Sequence, residues 1–179
     1  FLNKNYEIVE IYKKAKKNDI KLLRNYKVFH NLKFIEFPKF GILELKKIVK
    51  KISKLDGCLL LIDYGYLKSQ NKDTLESVFE HKKNSIFKNL GKADITSHVN
   101  FTFLKEFFFK NKLKVKKIIS QKEFLENMGI IQRAEIISKK MNFKEKSSLY
   151  LRLQRLLNPR LMGNLFKVIE AYKFKGFNI

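Results

Sequence analysis

Tryptophan is absent from this chain, and cysteine and proline are almost so, with one and two residues respectively. The lone cysteine, Cys58, cannot form an internal disulfide, and no thiolate metal site can be built from one thiol; a reducing compartment fits this usage. The longest purely apolar run is CLLLI (58–62), far too short to cross a bilayer, so no membrane insertion is expected. No secretory signal is visible. Nor is there a glycine-rich phosphate cradle, a G-x-S-x-G nucleophile elbow or an H-E-x-x-H zinc motif. Acidic residues are few, 17 against 39 basic ones, giving a formal charge of +22.

That charge resembles a nucleic-acid signal, but arginine is scarce too. Only Arg24, Arg133, Arg152, Arg155 and Arg160 carry the guanidinium fork that reads phosphates and base edges, and 34 of the 39 cations are lysines spread along the chain. A solvated lysine surface, in a sequence also rich in Asn, Ile and Phe, is the simpler reading, and no specific nucleic-acid partner is expected. With 45% hydrophobic residues and 17 Phe among 179 residues, the chain can bury a core as a single domain, 1–179.

Periodicity divides that domain. Residues 6–12 (YEIVEIY) suggest a strand, 13–25 are ambiguous, and 28–37 form an irregular apolar segment ending at Pro38. From Gly41, Ile42, Leu45, Ile48, Val49 and Ile52 recur at helical spacing until the turn signal Asp56-Gly57. CLLLIDYGY then reads as a strand buried on both faces, stopping at Asp63, with Gly65 permitting a tight departure. This helix–turn–strand pattern is an α/β unit. Asp63, at the carboxyl end of the strand, either caps the following turn or lines a ligand cleft. Residues 67–92 read as loop-rich with an ordered piece over 74–81. A helix over 101–112 buries Phe103, Leu104, Phe107 and Phe108, and a strand follows over 113–119. Helices over 121–128, 129–141 and 146–157, a turn at Gly163 and a last strand over 165–172 complete the reading.

The polar stretch GKADITSHVNF (91–101) leaves three readings open. Asp94 and His98, four apart, would share a helix face and could hold a metal, but β-branched Ile95, Thr96 and Val99 argue against a helix and a third ligand is missing. A turn stabilised by Asp94 or Thr96, with Asn100 as N-cap of the next helix, is the plainer reading. A substrate-facing loop is the third. His30 and His81 have neither a nearby cysteine nor regular spacing, and read as structural or exposed.

Five motifs in order, LLLIDYGY (59–66), DTLESVFEH (73–81), GKADITSHVNF (91–101), QKEFLENMGI (121–130) and NPRLMGNLFKVI (158–169), resemble the C-terminal part of the MidA-like family of S-adenosylmethionine-dependent methyltransferases. The resemblance implies the C-terminal portion of a class I, Rossmann-like sheet with helical insertions and the N-terminal cofactor-binding strands missing. It implies S-adenosylmethionine as cofactor, with Asp63 and Tyr64 at the cofactor cleft and Asp94, His98 and Asn100 on a substrate-side loop; no residue is assigned as catalytic. Its mitochondrial members methylate arginine on a subunit of respiratory complex I during assembly, so a protein substrate is implied. The location implied is the cytoplasm for a bacterial protein, which is favoured, or the mitochondrion for a eukaryotic one. Asn100 departs from the family's Asp, keeping a cap and losing a charge; Ile95 replaces Leu and Lys122 a common Gly. The family's glycine-rich loop, the acidic ribose position after it and its Asn-Glu-Phe-x-Asp-Ala-Leu-Pro motif do not occur. Together with a start at Phe1, this makes an inactive fragment the expectation for the chain alone. A non-catalytic assembly protein on the same fold is the alternative, with a basic nucleic-acid module behind it.

Overall fold

A computed structural model describes residues 8, 10–68 and 71–174. They form two compact units, one from 1–36 and 70–98, the other from 37–69 and 99–179. In chain order the elements are α1 (Lys17–Arg24), α2 (Lys39–Leu55), β1 (Gly57–Tyr66), β2 (Glu76–Phe79), β3 (Lys82–Asn84), β4 (Asp94–Thr96) and β5 (Val99–Asn100). Then come α3 (Phe101–Lys110), β6 (Lys114–Val115), β7 (Ile119–Ser120), α4 (Gln121–Asn127), α5 (Ile130–Ser138), α6 (Phe143–Leu157), α7 (Met162–Leu165) and β8 (Phe166–Lys173). The strand expected over 6–12 falls largely outside the described residues; Ile8 makes an isolated bridge and 10–12 have no regular structure.

The first unit holds α1 and a small antiparallel sheet in the order β3-β2-β4. The ordered piece expected over 74–81 is the start of its hairpin. Phe79 pairs with Lys82 across a two-residue loop, Glu80 and His81, both at positive φ (50° and 62°). Two consecutive left-handed residues are the signature of a type I′ turn, which Asn-Gly adopts without strain and Glu-His does not. His81→Gly is therefore expected to stabilise the fold by about 1 kcal/mol, read as a rise in Tm, since it removes left-handed strain. A lowered Tm would mean that the His81 ring contributes packing larger than that strain.

In the second unit β8 is the central strand. It runs antiparallel to β1 from Gly57↔Lys173 to Tyr64↔Phe166, and its other edge takes β6 and β7. The strand expected over 113–119 is thus two short pieces, both paired with β8. Among the described residues, parallel pairing is confined to β1 and β5, at Gly65↔Val99 and Tyr66↔Asn100. The result is a mixed α/β sheet.

Helix α3 follows the expected pattern: Phe101, Phe103, Leu104, Phe107 and Phe108 are all buried. Asn100 starts it, its Oδ1 accepting from the Phe103 N–H at 3.0 Å. At its end Lys112 turns left-handed (φ 61°), the Lys112 N–H donates to the Phe109 carbonyl and the Leu113 N–H to that of Phe108, a Schellman closure with a lysine in the usual glycine place. Helix α2 buries Ile42 and Val49. Helix α6 begins three residues earlier than its periodicity suggests, because Asn142 and Glu145 form a reciprocal capping box. Gly163, expected in a turn, lies inside α7.

Two expectations for β1 are corrected. The strand is not buried on both faces: Cys58 is exposed, and Leu60 and Ile62 keep 45% and 43% of their surface. An apolar residue on each parity permits cover on both faces but does not supply the covering element. Nor does β1 stop at Asp63. It continues to Tyr66, because Gly65 lacks the Cβ that would collide with the Val99 carbonyl and so lets β5 pair alongside.

Candidate functional site at the carboxyl end of β1

Asp63 and Tyr64 end the pairing of β1 with β8, and Gly65 and Tyr66 carry the strand on to β5. Asp63 is solvent-exposed here. Its Oδ1 accepts from the Tyr64 N–H at 2.8 Å, and no described residue is bonded to Oδ2. One carboxylate oxygen thus orients the group while the other faces water, ready to accept from a ligand N–H or O–H. The Tyr64 ring is half-buried and meets Phe166 edge-to-face at 5.5 Å. Lys167 is the cross-strand partner of Asp63; its ammonium donates to the Asn164 carbonyl, and burial lowers its pKa below the ordinary lysine value.

Asn100 reaches this end of the sheet from the other side, as the parallel partner of Tyr66. It is buried, and its amide oxygen is committed to the Phe103 N–H. Thr102 adds a second tie, its hydroxyl donating to the Leu67 carbonyl just beyond β1. Asn100→Ala should cost about 1 kcal/mol, the usual worth of an N-cap, while Asn100→Asp keeps the acceptor and should cost less. Urea denaturation of the two variants measures this; equal loss in both would show that the amide nitrogen, and not the cap, matters.

The other two residues of the polar stretch belong to the first unit. Asp94 opens β4 opposite Val78 and is exposed. A strand, not a helix, carries it, so the i, i+4 face that would join it to His98 does not form. Among the described residues no group of three or more His, Cys, Asp or Glu is placed to hold a metal ion. His98 is half-buried just after β4, and its backbone N–H donates to Thr74 Oγ1 at 2.9 Å. Thr74 is itself a hub. Its N–H and hydroxyl both donate to the Glu36 carboxylate, at 3.0 and 2.7 Å. Glu36 and Thr74 thereby set the path of the chain into His98. Sequence reading missed both. Thr74 lay inside the DTLESVFEH motif and could have been found there, whereas Glu36 had no local signal, being 38 residues away from its partner. His30 donates from Nε2 to the Arg24 carbonyl at 3.1 Å, a local structural bond.

A family described as "Putative S-adenosyl-L-methionine-dependent methyltransferase" matches residues 3–119. The chain belongs to this family. Among curated proteins, human mitochondrial protein arginine methyltransferase NDUFAF7 is 28% identical over 143 residues, covering 78% of this chain and 32% of that protein. The Rattus norvegicus counterpart is 28% identical over 130 residues, covering 72% and 29%. The chain thus spans about a third of the length of these curated relatives. Among solved structures, a protein from Burkholderia thailandensis crystallised with S-adenosyl-homocysteine superposes with a TM-score of 0.76 at 20% identity, over 96% of this chain and 46% of that one. The likeness is one of fold.

The family's cofactor is S-adenosylmethionine, and the described residues fit part of a site for it. Near the carboxyl end of β1, Asp63 has a carboxylate oxygen bonded to no described residue, and the Tyr64 ring packs on Phe166. A glycine cradle is not among them: at Gly65, the glycine nearest this end, a Cβ would lie 2.1 Å from the Val99 carbonyl oxygen, so the chain itself fills that space. The buried unpaired oxygen Asp56 Oδ1 lies at the opposite end of the strand.

Proposed function

We propose that this chain is part of an S-adenosylmethionine-dependent methyltransferase that modifies arginine on a protein, and that the acceptor is a subunit of respiratory complex I, as the family resemblance implies. The observation that carries the reading is the free carboxylate of Asp63 at the carboxyl end of β1, in a chain whose relatives include arginine methyltransferases. The cofactor supplies an electrophilic methyl group, and the protein's work is to align the acceptor with it. Asp63 and Tyr64 form the cofactor-side wall. The family resemblance gives Asp94 and His98 the substrate-side role; a carboxylate grips a guanidinium through paired charge-assisted hydrogen bonds, and an imidazole can receive the proton that must leave. Asn100 holds the loop through its cap. Because the chain spans about a third of the length of the arginine methyltransferases it resembles, we infer that it is inactive alone; the intact protein works in the bacterial cytoplasm or, in a eukaryote, the mitochondrion. Among the described residues no helix is long and apolar enough to cross a membrane.

The test joins the chain to the coding sequence that precedes it and measures cofactor binding by calorimetry and transfer of labelled methyl to arginine in complex I subunits. Asp94→Ala and His98→Ala should each lower turnover about 10–100-fold with cofactor binding kept, the worth of one hydrogen bond to a charged group. Asp63→Ala should weaken cofactor binding. Wild-type turnover in folded Asp94→Ala and His98→Ala would remove the substrate-side role. Absence of cofactor binding by the joined protein would overturn the function itself.

A further inference from the structure

Lysines are spread along the sequence, but folding gathers Lys46, Lys50, Lys112 and Lys173 around one pocket of about 300 Å³ in the second unit. Lys46 and Lys50 come from α2 together with Val49 and Ser53, at i, i+3, i+4 and i+7, so they share one face of the helix. Lys112 comes from the closure of α3, and half-buried Lys173 is the last residue of β8. Val49 is buried and gives the pocket its apolar part. Among the described residues that line it there is no carboxylate. Lys173 is the partner of Gly57, the first residue of β1, so the pocket lies at the other end of the sheet from Asp63.

The fold itself does not neutralise this charge. Lysines beside the pocket are paired, Lys47 with Glu44 at 2.7 Å and Lys110 with Glu106 at 3.6 Å. Among the described residues none of the four pocket lysines joins an ion pair. Lys46 and Lys50, one helical turn apart, repel each other. Both lie before the last turn of α2, where attraction to the helix dipole is weak. At α3 the closing carbonyls are already served: that of Phe107 accepts from the Asn111 side chain at 2.7 Å, and those of Phe108 and Phe109 accept from the Leu113 and Lys112 N–H groups. Lys112 also stands left-handed, at φ 61°, where glycine is the usual residue. We propose that this pocket binds a soluble small molecule through a diphosphate group. Lysine is a compact point charge suited to multiply charged phosphate oxygens, whereas planar carboxylates are matched by the guanidinium fork, and no arginine lines the pocket. Four ammonium groups suit two phosphates, and the Ser53 hydroxyl adds a further donor. The volume lies at the lower end for ligand pockets, which fits a compact group. Binding relieves the mutual repulsion of the four cations.

The proposal is independent of the methyltransferase reading and is tested without cofactor or turnover. Inorganic pyrophosphate is titrated by calorimetry into the chain joined to its preceding sequence, at physiological ionic strength so that scattered surface lysines are screened. It should bind at one site per chain, with citrate, which carries carboxylates in place of phosphates, at least about tenfold weaker. Lys50→Gln and Lys173→Gln should each weaken binding about threefold, as for partly exposed ion pairs, and together about tenfold. Lys112→Gly should weaken it by a similar factor while raising Tm, because glycine takes the left-handed turn freely. Loss of binding in that variant is then separate from loss of folding. Lys144→Gln makes the same change of charge on α6, outside the pocket, and should leave the affinity as it was. Equal weakening by Lys144→Gln and the pocket variants would reduce the effect to net charge and overturn the proposal. Absence of binding at millimolar pyrophosphate would overturn it too, as would citrate binding equally well. A short single-stranded RNA that displaces pyrophosphate at lower concentration, and loses affinity in the same pocket variants, would replace the small molecule with a nucleic-acid backbone.

Discussion

Gly65→Ala is expected to destroy cooperative folding of the second unit. A Cβ built on Gly65 lies 2.1 Å from the Val99 carbonyl oxygen, 2.9 Å from the carbonyl carbon and 2.9 Å from Phe101 Cε2. The first two are backbone atoms and cannot swing aside as a flexible side chain would. Relief requires separating β5 from β1, which breaks the Gly65↔Val99 and Tyr66↔Asn100 pairing and lifts Phe101 from the core. Overpacking by a methyl usually costs about 1–3 kcal/mol, and a collision with backbone at a strand pairing belongs at or above the top of that range. Gly57→Ala is the matched control: it lies on the same strand, nothing stands within 4 Å of its Cβ position, and little change is expected. Thermal melting of the two variants decides the matter. An unchanged Tm for Gly65→Ala would mean that β5 stands further from β1 than the pairing requires. The consequence reaches the site, since this close approach carries Asp63, Tyr64 and the Asn100 cap to one end of the sheet.

Phe108→Ala should lose about 3–5 kcal/mol, the cost of deleting a fully buried aromatic and leaving a cavity. Phe108 has no exposed surface and packs edge-to-face on Phe107 at 5.6 Å. Its neighbour Phe109 is 52% exposed, with the Lys105 ammonium 5.7 Å from its ring centroid. Phe109→Ala should therefore cost no more than about 1 kcal/mol, the worth of an exposed cation–π contact. Two adjacent phenylalanines, the same substitution and a several-fold difference in outcome make denaturant midpoints a direct check. Similar losses for both would place the α3 core face incorrectly.

The difference between those two rings was legible before any coordinates, because 3.6-residue periodicity puts Phe103, Leu104, Phe107 and Phe108 on one side of a helix and Phe109 on the other. Capping at Asn100 was legible for the same kind of reason: a short polar side chain immediately before an apolar helix can reach its own N3 amide. Both depend on residues a few positions apart. The β1 strand was legible as a strand, but its cover was not. Leu60 and Ile62 have the composition of a doubly buried strand, and only the placement of other elements decides whether anything lies on them.

The site divides along the same line. Local chemistry in IDYG and in the polar stretch was enough to single out Asp63, Asp94, His98 and Asn100, and motif order was enough for the family, whose resemblance added Tyr64. What each group does with its hydrogen bonds was decided by distant partners. Thr74 is bound to Glu36 and to the His98 amide, from 38 and 24 residues away. Lys167 stands opposite Asp63 only because β8 returns antiparallel to β1 in that register. The amino-acid sequence by itself determined helices α2 to α6 in outline, the Asn100 cap, the buried face of α3 and the identity of the polar groups, since these rest on neighbours within one or two turns; α1, α7 and the Asn142 capping box emerged only in the structure. The tertiary structure alone decided the mixed sheet order, the extension of β1 past Asp63, the Glu36–Thr74–His98 chain of bonds and the gathering of Lys46, Lys50, Lys112 and Lys173 around one pocket. Each of those depends on contacts between segments whose separation along the chain carries no periodic signal.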